Sequence, residues 1–181
     1  MKTPENLLDI YLKSVGRGSN LILNIPPDRR GLLNENDVKS LLEWKKLLDK
    51  TFAKNLAFHA KVSASSNRGN SKDFAAINLV DGNKETYWTT DDNIKTADLI
   101  IDLATEQNVK YILLQEYIKL GQRVKAFTVD VWNDNKWQPI ASATTIGYKR
   151  ILPLNNVKTR NVRIRITDSK ACPILSNIEI Y

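Results

Sequence analysis

Residues 127–141 read FTVDVWNDNKWQPIA. Phe127, Val129 and Val131 alternate with Thr128, Asp130 and Trp132. A period of two puts one face of a strand on a core and the other in water. The run stops at NDNK (133–136), whose residue types suit a tight turn, and an apolar-containing run resumes beyond it. The stretch therefore reads as a hairpin. Trp132 and Trp137 flank its turn, one expected to pack and the other to cover the sheet edge.

The same period extends outward in both directions. It predicts strands over 58–64, 97–103, 108–117, 124–132, 136–142, 146–152, 160–167 and 174–181, with turn signals at LNN (154–156) and DSKACP (168–173). Residues 65–73, SSNRGNSKD, form a polar loop. Short strands at this spacing indicate a mainly β, eight-stranded antiparallel sandwich. Before about residue 55 the period is helical. Thr3 can cap, Pro4 suits a first helical position, and Leu7, Leu8, Tyr11, Leu12 and Val15 recur at three and four, up to Gly16. NLILNIPP then reads as a short strand stopped by a double proline. Residues 34–52 form a second amphipathic helix, capped by Asn34 or Asn36, with Val38, Leu41, Leu42, Trp44, Leu47 and Leu48 as its apolar positions. The boundary falls near 52–58, dividing the chain into 1–55 and 56–181.

Composition narrows the function. The 181 residues are 42% hydrophobic, 8% aromatic and 26% charged, an ordinary globular balance. No apolar run is long enough to cross a membrane as a helix, and the first residues do not read as a signal peptide. Cys172 is the single cysteine, which excludes an internal disulfide and a cysteine-rich zinc site; His59 is the single histidine, and nothing around either resembles a nucleophile motif. The net charge of +7 is spread out: ten Lys/Arg against seven Asp/Glu in residues 1–55, seventeen against thirteen in 56–181. In KTRNVRIRI (158–166), Arg163 and Arg165 alternate with Val162, Ile164 and Ile166, as on a strand with one wet face. No nucleic-acid partner is expected.

One strand between two helices cannot hide its own apolar faces, so residues 1–52 look like part of something larger. YLKSVGRGSNLILNIPPDRRGLLNENDVKSLLEWKKLL resembles the end of the catalytic domain of α-L-fucosidases, retaining glycoside hydrolases with a (β/α) barrel. The resemblance implies a helix-strand-helix remnant of that barrel, with Asn20–Ile25 as its last strand. Retaining chemistry needs two carboxyl groups about 5 Å apart. In the family they lie upstream of anything matched here, so no residue of this sequence inherits a catalytic role, and the chain alone is expected not to hydrolyse glycosides. Asp28, after Pro26-Pro27, either lines a pocket or shapes its turn with Arg29 or Arg30. The resemblance implies a carboxy-terminal portion of such an enzyme, whose whole form would work outside the cytoplasm.

AAINLVDGNKETYWTT (75–90), LIIDLATEQNVKYILL (99–114), FTVDVWNDNKWQPIA (127–141), RNVRIRI (160–166) and NIEIY (177–181) resemble the discoidin family, or coagulation factor V/VIII type C domains. That resemblance implies a jelly-roll sandwich that often serves as a carbohydrate-binding module on glycosidases. It also implies a structural calcium ion, or sodium, in the Asp-Gly-Asn turn. Hard cations take six or more oxygens. Carried over by position, Asp81 supplies a carboxylate, Asn78, Asn83 and Ile178 backbone carbonyls, Thr86 its carbonyl and hydroxyl, and Glu179 a carboxylate from the last strand. The alternative is a capped turn without metal, with Glu179 facing Lys84 or solvent. Trp88 is expected in the core beneath the turn.

A glycan, fucosyl or galactosyl, would meet the loops at one end of the sandwich. Candidate contacts are Asn67, Arg68, Gln122, Arg123, Tyr148 and Arg150, since an Arg fork bridges hydroxyls and an aromatic carries an apolar sugar face. These residues, in GQRV and IGYKR above all, equally suit packing against the catalytic barrel or oligomerisation. The loops carry no exposed Leu, Phe or Trp spikes, so a membrane partner is not expected.

Overall fold

The computed structural model describes residues 2–181. It begins with helix α1 (Pro4–Lys13), whose first turn is capped by Thr3 Oγ1 accepting from the Asn6 amide at 3.3 Å. A 3₁₀ turn over Val15–Arg17 follows, then helix α2 (Glu35–Thr51), capped by Asn34 Oδ1 accepting from the Asn36 amide at 3.0 Å. The sheet comprises β1 (Lys61–Ala64), β2 (Trp88–Thr89), β3 (Ala97–Glu116), β4 (Val124–Asn133), β5 (Lys136–Ala143), β6 (Arg150–Ser169) and β7 (Ile174–Ile180). All pairings are antiparallel, in the order β2-β7-β3-β6-β4-β5, with β1 added to β3.

The mainly β antiparallel fold matches the pattern of twos, but the strand count is seven, not eight. The expected 97–103 and 108–117 are one bent strand, β3, and the 146–152 and 160–167 segments are joined in β6. The polar residues read as a break only shift the register, between Asp102 and Gln107, where Ala104 takes a positive φ of 66°. Each long strand thus changes partners along its length, as strands do when they pass around a sandwich corner. Ala97–Asp102 of β3 pairs with β1 and the later half of β6; Ile112–Glu116 pairs with β7.

The core follows the alternation. Leu99, Ile101, Ile112, Leu114, Phe127, Val129, Val131, Val162, Ile164, Ile166, Ile178 and Ile180 are buried together with Leu79 and Trp88. Each fully buried large apolar side chain stabilises by about 1.5–3 kcal/mol. At the β4–β5 turn Trp132 faces Trp137 edge-on, ring centroids 5.2 Å apart, and the Arg163 guanidinium lies 4.6 Å from the Trp137 ring. Trp137 is the half-buried member and Trp132 the exposed one.

The amino-terminal segment differs from its expected helix-strand-helix form. Residues 20–25 form no strand and join no sheet, because no neighbouring strand offers them a ladder. Asp28 shapes the turn that follows: its Oδ1 accepts from the Arg30 amide at 2.8 Å and its Oδ2 from Arg30 Nε at 2.9 Å. The segment packs on the sandwich through an aromatic seam. Tyr11 contacts Trp44 and Phe52, and Phe52 meets Tyr111 and Tyr181 at centroid distances of 5.8 and 5.0 Å. The connection is tied to β7 by Leu56 N donating to Ile180 O at 2.7 Å and Asn55 Oδ1 accepting from Ile180 N at 3.0 Å.

Candidate functional site

The Asp-Gly-Asn turn follows a short 3₁₀ helix over Ala76–Leu79. Gly82 has φ 76°, and a Cβ there would lie 2.9 Å from the Phe58 ring, so glycine is needed for both conformation and space. Asp81 Oδ1 accepts from the Asn83 amide at 2.8 Å, and Asn83 Oδ1 from the Glu85 amide at 3.0 Å. Thr86 Oγ1 lies 2.7 Å from both Asp81 Oδ2 and the Asn83 carbonyl oxygen. Three oxygens of different kinds therefore converge in one turn, a donor set that suits a hard cation. Asn78 braces the turn from behind, its amide donating to the Asp73 and Tyr87 carbonyls at 2.8 and 3.0 Å.

The remote members of the expected set lie on β7. The Ile178 side chain is buried in the core, which leaves its expected role, a backbone carbonyl, untouched. Glu179, on the opposite face of β7, accepts from Asn177 Nδ2 at 2.7 Å and from the Tyr181 hydroxyl. Burial, then hydrogen bonding to Glu179, push the Tyr181 hydroxyl above its ordinary range, and burial and the Glu179 charge do the same to Tyr11. Glu179 is thus engaged with the aromatic seam. Among the described residues, no group of three or more His, Cys, Asp and Glu side chains is arranged to hold a metal. The turn oxygens suit a cation, and the Glu179 oxygens, each accepting one hydrogen bond, retain lone pairs for one.

The six residues considered for glycan contact fall into three places. Asn67, Arg68 and Arg123 gather at one end of the sandwich. Arg68 pairs with Asp92, donates from Nε to the Thr90 carbonyl at 3.3 Å, and reaches Cys172 Sγ at 3.4 Å. Arg123 donates from Nη1 to the Cys172 carbonyl and sulfur at 3.1 and 2.8 Å, and from Nη2 to Leu120 O at 3.3 Å. The Arg68 hydrogen bond holds the Asp92 carboxyl below its usual range. Asn67 Nδ2 reaches Ser71 O within its own loop at 3.5 Å. Both guanidiniums are committed to tying three loops together. Trp88 is fully buried beneath them, its Nε1 donating to Ser66 O at 3.0 Å.

Gln122 and Tyr148 flank Gly147 instead. The Gln122 Oε1 would sit 3.3 Å from a Cβ at Gly147, whose φ is 65°. Arg150 lies elsewhere again, beside Arg17 of the amino-terminal segment.

The residue that positions this region is Glu116, which sequence reading passed over. It is 3% exposed, and its carboxylate accepts three backbone amides: Arg123 at 2.6 Å, Val124 at 2.8 Å and Gly147 at 2.6 Å. It joins the 117–123 loop to the 146–148 turn. A glutamate at the end of the apolar run YILLQE is the signal that would have found it, since buried acids are rare without partners.

Between these loops and the Asp-Gly-Asn turn runs a groove of about 190 Å³, lined by Lys84, Gln115, Tyr117, Tyr148 and Ser176 among others. Tyr117 is stacked on Tyr87 with centroids 4.6 Å apart, and the Lys119 ammonium lies 5.8 Å above its ring. Tyr148 is 59% exposed. Lys119 also pairs with Glu85, joining the groove's two walls. Aromatic faces beside amide, hydroxyl and charged groups suit an amphipathic ligand with a polar rim.

Comparison with known proteins agrees with this architecture. The model of the F5/8 type C domain matches residues 61–180. A protein of Oryza sativa subsp. japonica named as an α-L-fucosidase is 36% identical over 99% of this chain. The chain spans about a third of that relative, 35% of its length. The crystal structure of SpGH29 superposes with a TM-score of 0.93 at 39% identity, covering 99% of this chain and 39% of that one. A chitosan-binding module from a Paenibacillus chitosanase/glucanase shares the fold, with a TM-score of 0.63 at 22% identity. It covers 70% of this chain and 97% of its own.

Proposed function

Because the chain belongs to the F5/8 type C family over residues 61–180, we propose that it is the carbohydrate-binding sandwich, with the adjoining end of the catalytic barrel, of an α-L-fucosidase. The groove at Tyr148 carries this reading. Its exposed ring offers an apolar face to a pyranose, and Lys84 and Ser176 offer hydrogen-bonding groups around it, while Gln115 Nε2 holds the Tyr148 carbonyl at 2.9 Å. The expected class is a fucosyl or galactosyl glycan. Arg68 and Arg123 hold the loops through Nε and Nη2, and through Nη1 and Nη2, respectively, so sugar contact by either would use its remaining N–H groups.

Calcium, or sodium, belongs to the same proposal. Asp81, Asn83 and Thr86 would hold it, with the Asn78 and Ile178 carbonyls and the Glu179 carboxylate completing the set. The ion supplies charge neutralisation and a rigid turn. Since Lys84 and Glu85 of that turn line the groove, a fixed turn means a fixed groove wall. Hydrolysis is assigned to carboxylates outside this chain, and the purified chain releases no fucose from an aryl fucoside.

The bracing alternative draws on a separate observation: Leu33, Val38 and Leu42 form an exposed apolar face on the helical segment. One titration decides between them. The chain is titrated with methyl α-L-fucoside and methyl β-galactoside, in calcium and in chelator, alongside Tyr148→Ala. The expected result is binding that weakens about tenfold in the variant, roughly 1.4 kcal/mol, and also weakens on chelation. No binding by a folded chain would leave bracing as its role.

A further inference from the structure

Away from the groove, the junction between the helical segment and β6 holds two cations without an anion. Arg150 opens β6, and its Nε is buried with no hydrogen-bond partner. Arg17 ends the 3₁₀ turn beside it. Among the described residues, no side chain forms a hydrogen bond or ion pair with either guanidinium. Asp9 borders the same space, but its carboxylate is 2.8 Å from Lys13 Nζ. Burial first, and the Arg17 charge second, lower the affinity of Arg150 for its proton.

Arg17 is exposed, but the buried Nε of Arg150 has no partner and a second guanidinium beside it adds repulsion, both of which a bound anion would relieve. The space is a cavity of about 350 Å³. Apart from the paired Asp9 and Lys13, its remaining wall is apolar, from Leu12, Ile151, Leu152 and Pro153. A bare inorganic ion would have no use for that wall. A pyranose ring does: its apolar face covers the aliphatic side chains while an acidic substituent meets the guanidiniums, the geometry in which Arg binds carboxylates best.

We propose that Arg17 and Arg150 form a binding site for the carboxylate of an acidic sugar residue, seated in the cavity between the helical segment and β6. The sugar part rests on the reading of this chain as a glycan-binding module; the anion part rests on the two arginines alone. The site is distinct from the Tyr148 groove, so the two are tested separately.

The full chain is titrated with D-glucuronate, its methyl ester and sulfate at constant ionic strength, followed by calorimetry. Glucuronate is expected to bind at least tenfold more tightly than the ester. Arg17→Gln, a surface change that leaves folding intact, and Arg150→Gln are each expected to lower that affinity about tenfold. Equal affinity for acid and ester, or unchanged glucuronate affinity in Arg17→Gln, overturns the site. Sulfate binding without glucuronate binding overturns the acidic sugar as its ligand. Methyl α-L-fucoside is run in parallel: its failure to bind while glucuronate binds counts against the groove and leaves this site standing.

Discussion

The sandwich and the helical segment reach stability by different routes. In the sandwich, strands supply a closed set of buried apolar residues, and even its loops are drawn to a buried carboxylate at Glu116. In the helical segment, α1 buries only Leu7 and α2 buries nothing completely. Ile22 is 92% exposed. The segment docks through Phe52, which Tyr11 and Trp44 back from the helices and which meets Tyr111 and Tyr181. One region is complete in itself; the other leans on its neighbour and turns an apolar face outward. Helices that lack a buried stripe of their own depend on such docking.

The contrast breaks first, if it breaks, at Glu116. Glu116→Ala leaves three buried amide donors without an acceptor, and each hydrogen bond to a charged group contributes about 1.5–3 kcal/mol. A loss of about 4 kcal/mol is expected in urea denaturation, allowing for relaxation of the 117–123 loop. Glu116→Gln should lose about half as much, since one oxygen still accepts while the new NH₂ opposes a donor. A loss below about 1 kcal/mol for the alanine variant would mean that the loops are ordered by something other than this carboxylate.

The second test separates the regions. Phe52→Ala removes the ring at the centre of the seam. Fully buried phenylalanines cost about 3–5 kcal/mol on truncation; half-buried Phe52 should cost about 2. The loss should be local. Hydrogen exchange is expected to quicken in α1 and α2 while β3 and β6 keep their protection. Equal loss in both regions would show one cooperative unit and remove the distinction.

The same contrast governs what could be read from sequence. In the sandwich, alternation such as Phe127-Val129-Val131 reports burial directly, so most strand positions and the core were legible. The two long strands were not. Their polar middles look like ends, because register shifts leave no mark in the pattern. Residues 20–25 show the reverse: NLILNI has strand character, but a strand exists only with a neighbour to pair with, and the described residues supply none. At the candidate site, residue types were informative and their partners were not. Arg68 and Arg123 were legible as forks, but not that the fold would bring Asp92, Cys172 and Leu120 against them. Glu116 hid because a single acid in an apolar run does not name the amides it will meet.

The smallest effect is acid sensitivity, and it too should divide the regions. Asp102 lies where β3 shifts register, accepting from the Ala104 amide at 2.9 Å and from Arg160 Nε and Nη2 at 2.8 and 2.9 Å. The Arg160 hydrogen bonds, as the largest cause, lower its pKa to about 2 from 3.8. A carboxyl more acidic when folded than when unfolded stabilises the fold above pH 4, and that contribution is lost as the pH falls toward 2. The pair is partly solvated, so the contribution is small and weakened by salt. The helical segment has instead exposed pairs one turn apart, Lys13 with Asp9 and Lys45 with Asp49, of the kind that contributes little. Stability measured from pH 5 to 2 should therefore fall less steeply in Arg160→Gln than in the parent chain, and Lys45→Gln should leave the slope unchanged. An identical slope in Arg160→Gln would show that Arg160 is not what holds Asp102 ionised, and that the bend in β3 is kept by its backbone bonds alone.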